Sequence, residues 1–426
     1  MTRKGPLSYT QKQGHNFSAC RQGRKRRPQG IDARSRRSGK RFLKFRYFGD
    51  GMNSFYLHIP FCLSKCRYCG FNSVPAPGAE EIERYCRALE RDIRETKLEI
   101  RNVETAYFGG GTPTLLSAGQ IENLISALEK KASFEKSAEI TIEANPETMT
   151  SEKLSHLRTL GFSRLSLGVQ SFDDGLLKIL GRPHDSGQAM AAYRLARRAG
   201  FENIGLDLIY GLPGQSMKQW ERDLRRAAEL GPEHISAYSL TYEPGTEFTA
   251  WREQGWIEPC GEDLEAEMFL LAHQYLPTAG YQHYEVSNFS RPGHRCRHNL
   301  NYWRCGDYLG FGAGASSHIE GRRWTNVSDW REYVIRLESG QSPIGFSEEL
   351  SSGQRWFEAI FLGLRMIEGM AIEEFKSRWG QRPDEYKPEV WEKLSKEGYI
   401  ISRQGRLCFT SQGLMIADLL LSNFAP

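Results

Sequence analysis

From Ser54 to Leu240 the sequence alternates six times between a short β-prone run and an amphipathic stretch, and this rhythm restricts the fold more than any other feature. The β-prone runs are Ser54–Ile59, Val103–Phe108, Ala138–Glu143, Arg164–Val169, Asn203–Ile209 and His234–Leu240. Between them the apolar residues recur at helical spacing over Glu80–Leu98, Ala118–Lys131, Ser151–Leu160, Asp173–Leu180, Gln188–Ala199 and Met217–Leu230. Gly161, Gly200 and Gly231-Pro232 stand just past three of these helices, and Ser117, Thr150 and Ser216 just before three, as C-terminal stops and N-caps. Strand and helix in strict alternation imply parallel strands joined by crossover helices, hence an α/β barrel or a doubly wound sheet. In either, ligands bind at the carboxyl ends of the strands, so those ends are where chemistry is expected.

Directly after the first run comes Cys62-Leu-Ser-Lys-Cys66-Arg-Tyr-Cys69. Three thiols on one short loop suit a metal or cluster better than a disulfide. The chain has nine cysteines, an odd number at low density, which argues for a reducing cytoplasmic setting. Two metal groups fit the run. A zinc knuckle needs a fourth ligand, His58 or a distant cysteine. A [4Fe–4S] cluster on three cysteines leaves one iron with an open position for a small chelating molecule.

The other strand ends also carry unusual residues. Phe108-Gly-Gly-Gly-Thr112-Pro113 closes the second run, and its glycines let the backbone approach a ligand closely. Glu143 ends the third, Gln170 the fourth, and Asp207 lies within the apolar fifth, where a carboxylate is costly unless paired or liganded. Arg182 follows the fourth helix.

The C-x3-C-x2-C run after a first barrel strand resembles the radical S-adenosylmethionine (SAM) proteins. The surrounding Tyr56-Leu-His-Ile-Pro-Phe-Cys62 is similar to the subgroup that contains oxygen-independent coproporphyrinogen III oxidase and the HemW-type heme chaperones. The resemblance implies a partial (β/α)6 barrel with Cys62, Cys66 and Cys69 as ligands of a [4Fe–4S] cluster whose open iron takes SAM. It further implies that Tyr56, Tyr68, Gly110, Gly111, Thr112, Glu143, Gln170, Arg182 and Asp207 line or adjoin the SAM pocket. A low-potential electron donor, such as a flavodoxin or ferredoxin, is expected with such a cluster.

The two branches of the subgroup differ just beyond the cluster loop. The oxidase has a further cysteine two residues after the third ligand; here that place is Phe71, as in the chaperone type. Further on, His298-Asn299-Leu300-Asn301-Tyr302-Trp303 resembles the motif linked to heme binding in the chaperones, with Cys296 and Cys305 on either side. A histidine beside aromatic rings has the chemistry to ligate heme iron while the rings pack on the macrocycle. The absence of C-x-x-C-H excludes c-type attachment. The expected function is therefore a heme chaperone that binds a cluster, SAM and heme and passes heme to an acceptor protein. The alternative is radical decarboxylation of coproporphyrinogen III propionates.

Charge divides the chain. The first fifty residues carry 15 Lys and Arg against Asp32 and Asp50; taking their +13 from the total of +5 leaves −8 for the remainder. A nucleic-acid partner is thus not expected of residues 52–426. Residues 1–51 read as a disordered basic extension: an RNA- or membrane-surface arm, an organellar transit peptide, or sequence upstream of a start at Met52. No apolar stretch approaches the ~18–20 residues of a membrane span, which leaves only peripheral membrane association, and there is no secretory signal. Residues 52–285 are assigned to the barrel, 286–344 to a heme-motif linker region, and 345–426 to a winged-helix-like α+β domain. The last is read as helices over Glu348–Leu364, Ile372–Arg378 and Pro388–Lys396, then a β-ribbon and a final helix. It carries 10 Lys and Arg against 12 Asp and Glu, which argues against phosphate-backbone contact.

Overall fold

A computed structural model describes residues 53–98 and 102–425; the basic extension, residues 1–51, lies outside the described residues. Six parallel strands, β1 (Asn53–Ile59), β2 (Val103–Gly110), β3 (Phe134–Ala144), β4 (Arg164–Gln170), β5 (Asn203–Tyr210) and β6 (His234–Ser239), lie side by side in chain order. Helices α1 (Ala79–Glu95), α2 (Ala118–Lys131), α3 (Ser151–Thr159), α4 (Asp174–Leu180), α5 (Ser186–Arg198) and α6 (Met217–Leu230) connect them. The caps are those the sequence signals. Ser117 and Ser216 form capping boxes with Gln120 and Gln219, Thr150 caps α3, and Gly161, Gly200 and Gly231 follow α3, α5 and α6 at positive φ; Gly181, not singled out in the sequence, ends α4 in the same way.

The strands alternate in chemistry rather than in burial. In β1, Phe55, Leu57 and Ile59 join the apolar cluster shared with the helices, while Ser54, Tyr56 and His58 are buried on the other face. The same period places Thr105 and Tyr107, then Glu139, Thr141 and Glu143, then Arg164, Ser166 and Gly168 on the inner face. The sheet therefore encloses a polar interior, which is unusual for parallel strands and needs internal hydrogen bonds throughout.

Beyond β6 come α7 (Glu247–Glu253) and α8 (Glu262–Thr278), then an antiparallel pair, β7 (Gln282–Glu285) and β8 (Asn288–Ser290), that extends the β6 edge. After α9 (Arg297–Trp303) the chain crosses to the opposite edge. There β9 (Tyr308–Phe311) runs parallel to β1, followed by antiparallel β10 (Ser316–Ile319), β11 (Arg322–Asn326) and, after α10 (Trp330–Glu338), β12 (Ile344–Glu349). The twelve-stranded sheet has the order β12-β11-β10-β9-β1-β2-β3-β4-β5-β6-β8-β7, a partial barrel widened by antiparallel wings. Residues 286–344 thus contribute β8 to β11 to the same sheet as the barrel strands.

The C-terminal portion comprises α11 (Ser352–Gly363), β13 (Met370–Ala371), α12 (Ile372–Trp379), α13 (Pro388–Lys396), β14 (Ile400–Arg403), β15 (Arg406–Phe409), α14 (Ser411–Met415) and α15 (Ala417–Leu421). Its small sheet has the order β13-β15-β14 around the Gln404-Gly405 turn. One boundary differs from the sequence reading. Glu348 and Glu349 end β12 instead of opening α11, because Glu348 accepts from Arg323 across the β11–β12 pair and the Ser351–Gln354 capping box fixes the helix start.

Candidate functional site

The polar interior opens at the carboxyl ends of the strands into a cavity of about 1160 Å³ including its open mouth. The cysteine loop forms one wall. Phe61–Cys62 pairs in parallel with Val74–Pro75, which closes the loop on itself, and Cys69 N donates to Cys66 O at 3.1 Å. Arg67 anchors the far side: its backbone N donates to Leu180 O and its guanidinium to Lys178 O, so the loop sits on the C-terminus of α4. Arg67 is one functional residue that sequence reasoning passes over, since a lone arginine in a loop carries no signal.

All three thiols line the cavity. Burial pushes Cys62 up to about 11, with the neighbouring Cys69 and Cys66 adding to it and a hydrogen bond from Thr112 opposing it; burial also raises Cys69. Among the described residues the only cation bonded to one of these sulfurs is Arg182, whose Nη1 donates to Cys66 Sγ at 3.4 Å. Three thiols crowded in a part-buried loop with so little positive charge form a donor set that fits a cationic iron cluster, which would deprotonate them. Among the described residues no three His, Cys, Asp or Glu side chains converge on one point as a single ion requires. Thiols that each hold a different iron need no such convergence. His58 does not complete a zinc site. Its Nδ1 bonds Tyr56 OH at 2.9 Å and its Nε2 bonds Asn72 O at 2.7 Å, and burial lowers its pKa to about 4.

The opposite wall holds the strand-end residues. Glu143 accepts from Tyr107 OH at 2.8 Å and from Gly110 N at 3.1 Å. Burial pushes it up to about 7, opposed by the Tyr107 hydrogen bond and reinforced by the nearby Asp207. Asp207 accepts from Ser236 Oγ at 2.7 Å and Ser166 Oγ at 3.1 Å, and burial raises its pKa as well. Arg182 Nη2 donates to Asn145 Oδ1 at 2.8 Å and Gly168 O at 2.7 Å. Gln170 sits at φ +68, in the left-handed region beside a β-bulge, where a non-glycine residue is held only under strain.

The cavity thus brings together Cys62, Cys66, Tyr68, Cys69, Gly110, Gly111, Glu143, Gln170, Arg182 and Asp207. Tyr56 and Thr112 lie behind its wall. Tyr56 is in the interior below the mouth, and Thr112 accepts from Asn145 Nδ2 at 2.9 Å. Asn145, which links Thr112 to Arg182, and the Tyr238–Thr241 stretch after β6 also line the cavity. An asparagine before a proline reads in sequence only as a turn.

The His298 motif lies elsewhere. Helix α9 stops the interior at the amino ends of the strands. The Glu139 carboxylate accepts from the backbone N of Arg297 and of His298, both at 3.2 Å. His298 is fully buried, with its ring 5.0 Å from that of Tyr107, its Nδ1 2.8 Å from Thr105 Oγ1 and its Nε2 2.9 Å from Tyr302 OH. It does not line the mouth, and both ring nitrogens are occupied. Asn299 is buried, with no protein partner for its Oδ1; Tyr302 and Trp303 face two cavities beside the C-terminal portion.

The sequence profile of the Radical SAM superfamily matches residues 56–227, and that of the HemN C-terminal domain matches residues 350–416. The protein named heme chaperone HemW from Bacillus subtilis (strain 168) is 36% identical over 377 residues, which cover 88% of this chain and 99% of that one. Its namesake from Escherichia coli (strain K12) is 36% identical over 383 residues, covering 87% and 97%. Among solved structures, coproporphyrinogen III oxidase (HemN) from Escherichia coli, described as a Radical SAM enzyme, superimposes with a TM-score of 0.77 at 27% identity, covering 88% of this chain and 90% of that one. With the three thiols at the mouth of a partial barrel and relatives of this identity along nearly its whole length, the chain belongs to the radical SAM superfamily and, within it, to the HemW family.

Proposed function

We propose that the protein is a heme chaperone that holds a [4Fe–4S] cluster and SAM at the mouth of the barrel, binds heme and delivers it to an acceptor protein. The observation that carries the reading is the composition of one cavity: three thiols beside a half-buried carboxylate, Glu143, and a half-buried guanidinium, Arg182. SAM carries an ammonium and a carboxylate, and these two side chains have the complementary charges. Cys62, Cys66 and Cys69 would hold the cluster, which supplies one-electron chemistry once reduced by a low-potential donor. Gly110 and Gly111 offer backbone groups to the amino end of SAM. Asp207, with its two serine donors, and Gln170 offer acceptors to hydroxyl groups.

The chaperone branch is favoured over the oxidase by Phe71, which lines the same cavity at the place of the oxidase's additional cysteine and is 36% exposed. An aromatic ring there supplies neither a ligand nor a proton donor.

The test is anaerobic. Reconstituted protein should bind close to four irons and four sulfides per chain, as a [4Fe–4S] cluster implies (about four of each), and heme at a fixed stoichiometry. It should leave coproporphyrinogen III unchanged in the presence of SAM and reductant. Formation of protoporphyrinogen would overturn the reading.

A further inference from the structure

At the amino ends of the barrel strands, opposite the cysteine loop, a cavity of about 1430 Å³ including its open mouth lies between the barrel and the C-terminal portion. Five of the residues that line it have the chemistry of a porphyrin site. Tyr302 and Tyr308 meet edge to face with ring centroids 4.6 Å apart, and Trp379 of α12 lines the same cavity. His318, paired with Tyr308 across the β9–β10 ladder, places Nδ1 3.4 Å from Asp307 Oδ1, both side chains being about 15% exposed. A carboxylate this close to Nδ1 favours the tautomer with the proton on that nitrogen and so leaves the Nε2 lone pair for a metal, as in metal-ligating histidines. Among the described residues the His318 ring makes this contact but no hydrogen bond.

The guanidinium of Arg355 lies against the backbone of Gly321, where a Cβ would come within 2.2 Å of its Cζ. Its Nε donates to Leu350 O at 3.2 Å, and its terminal nitrogens have no protein partner among the described residues. The neighbouring Arg323 is spent on Glu348 and Glu358, and Arg378 on the carbonyls of Arg304 and Cys305. Arg355 is thus the wall's available bidentate donor for a propionate, although Glu320 and Glu374 share the cavity.

We propose that heme binds in this cavity, with Nε2 of His318 as an axial ligand of the iron, a propionate on Arg355, and His298 as a positioning residue that fixes Tyr302 in the wall. This rests on the heme-chaperone reading, and gives the H-N-x-x-Y-W run a role without opening the buried His298 ring. His298 acts through its Nε2 bond to Tyr302 OH.

The experiment titrates the full-length protein with ferric heme and follows the Soret band and the electron paramagnetic resonance spectrum. The wild type should bind one heme per chain with a histidine-ligand signature. His318→Gly should lose that signature and bind at least about tenfold more weakly, and added imidazole should restore it, which separates a lost ligand from a lost fold. Arg355→Gln should weaken binding without altering the signature. His298→Gln should weaken binding while keeping the histidine signature. Wild-type binding with an unchanged spectrum in His318→Gly would overturn this site and leave the chaperone reading standing. A wild type that does not bind heme at all would overturn both.

Discussion

Gly110 carries the tightest backbone requirement in the mouth. Its φ is +118, and a Cβ there would lie 2.7 Å from His58 Cε1 and 2.9 Å from Ile59 O. Gly110→Ala should therefore cost about 1–3 kcal/mol of stability and misplace the N–H that Glu143 accepts. Denaturant midpoints and equilibrium dialysis of SAM would record both losses; an unchanged SAM affinity would remove Gly110 from the site. Glu143 makes a prediction of opposite character. Its folded pKa of about 7 exceeds the ordinary 4.5, so the folded protein without SAM binds this proton more tightly than the unfolded chain. The resulting stabilisation is complete below pH 4.5 and is lost as pH rises through 7. Glu143→Gln abolishes it, so wild type minus variant stability should fall across that window, by about 1–3 kcal/mol. Glu285, also raised to about 7 by burial, slopes in both proteins and cancels in the difference. SAM affinity of the wild type should rise over the same interval, because an ammonium needs the ionised carboxylate. A flat stability difference would mean that Glu143 titrates normally.

Among the elements, α11 owes its start to Ser351, whose side chain accepts from Gln354 N while Gln354 reaches back. Ser351→Ala should cost about 1 kcal/mol, read as a lower thermal midpoint, with the α11 residues exchanging amide hydrogen faster. This box is plain in the sequence, yet the strand before it hides it: Ile344–Glu349 has too few apolar residues to read as a strand, and only its pairing with β11 makes it one. The six parallel strands were legible for the opposite reason, since each carries its own apolar row and three follow a helix stopped by glycine. What local pattern cannot convey is partnership. Nothing in Tyr308–Phe311 announces that it will lie against β1, some 250 residues earlier. The mouth was legible because the cysteine loop and the glycine triplet follow two strands, Glu143 and Gln170 stand at the ends of two more, and Asp207 interrupts an apolar one. The role of Arg67 was not, because it depends on where α4 ends. His298 shows the limit most clearly: a histidine among aromatics reads as a hydrogen-bonded structural residue or, by resemblance, as part of a heme motif, and only the fold places it at the amino ends of the barrel strands.

At the scale of the whole molecule, one contiguous apolar cluster runs from Phe55 in β1 to Phe424 near the C-terminus, so the C-terminal portion shares the barrel's core. The Arg365–Asp418 pair joins the segment after α11 to α15. Barrel and C-terminal portion should unfold together, and calorimetry should show one transition in the described part of the chain; two resolved transitions would mean that the shared core contributes little. The same architecture separates the two proposed ligands. The cysteine loop follows the carboxyl end of β1, whereas the His318 cavity lies by the amino end of β9, which runs parallel to it. Seven residues of strand span about 23 Å, with the polar interior and α9 between. Phe71 and Tyr238 line the mouth, and no residue lines both cavities. Heme binding should then be independent of the cluster. Protein carrying Cys62→Ala, Cys66→Ala and Cys69→Ala together should lose its iron and sulfide, yet keep the wild-type heme stoichiometry and the histidine-ligand spectrum. Should that variant lose heme along with the cluster while remaining folded by circular dichroism, heme would have to sit at the mouth, and the two-ended arrangement would fail.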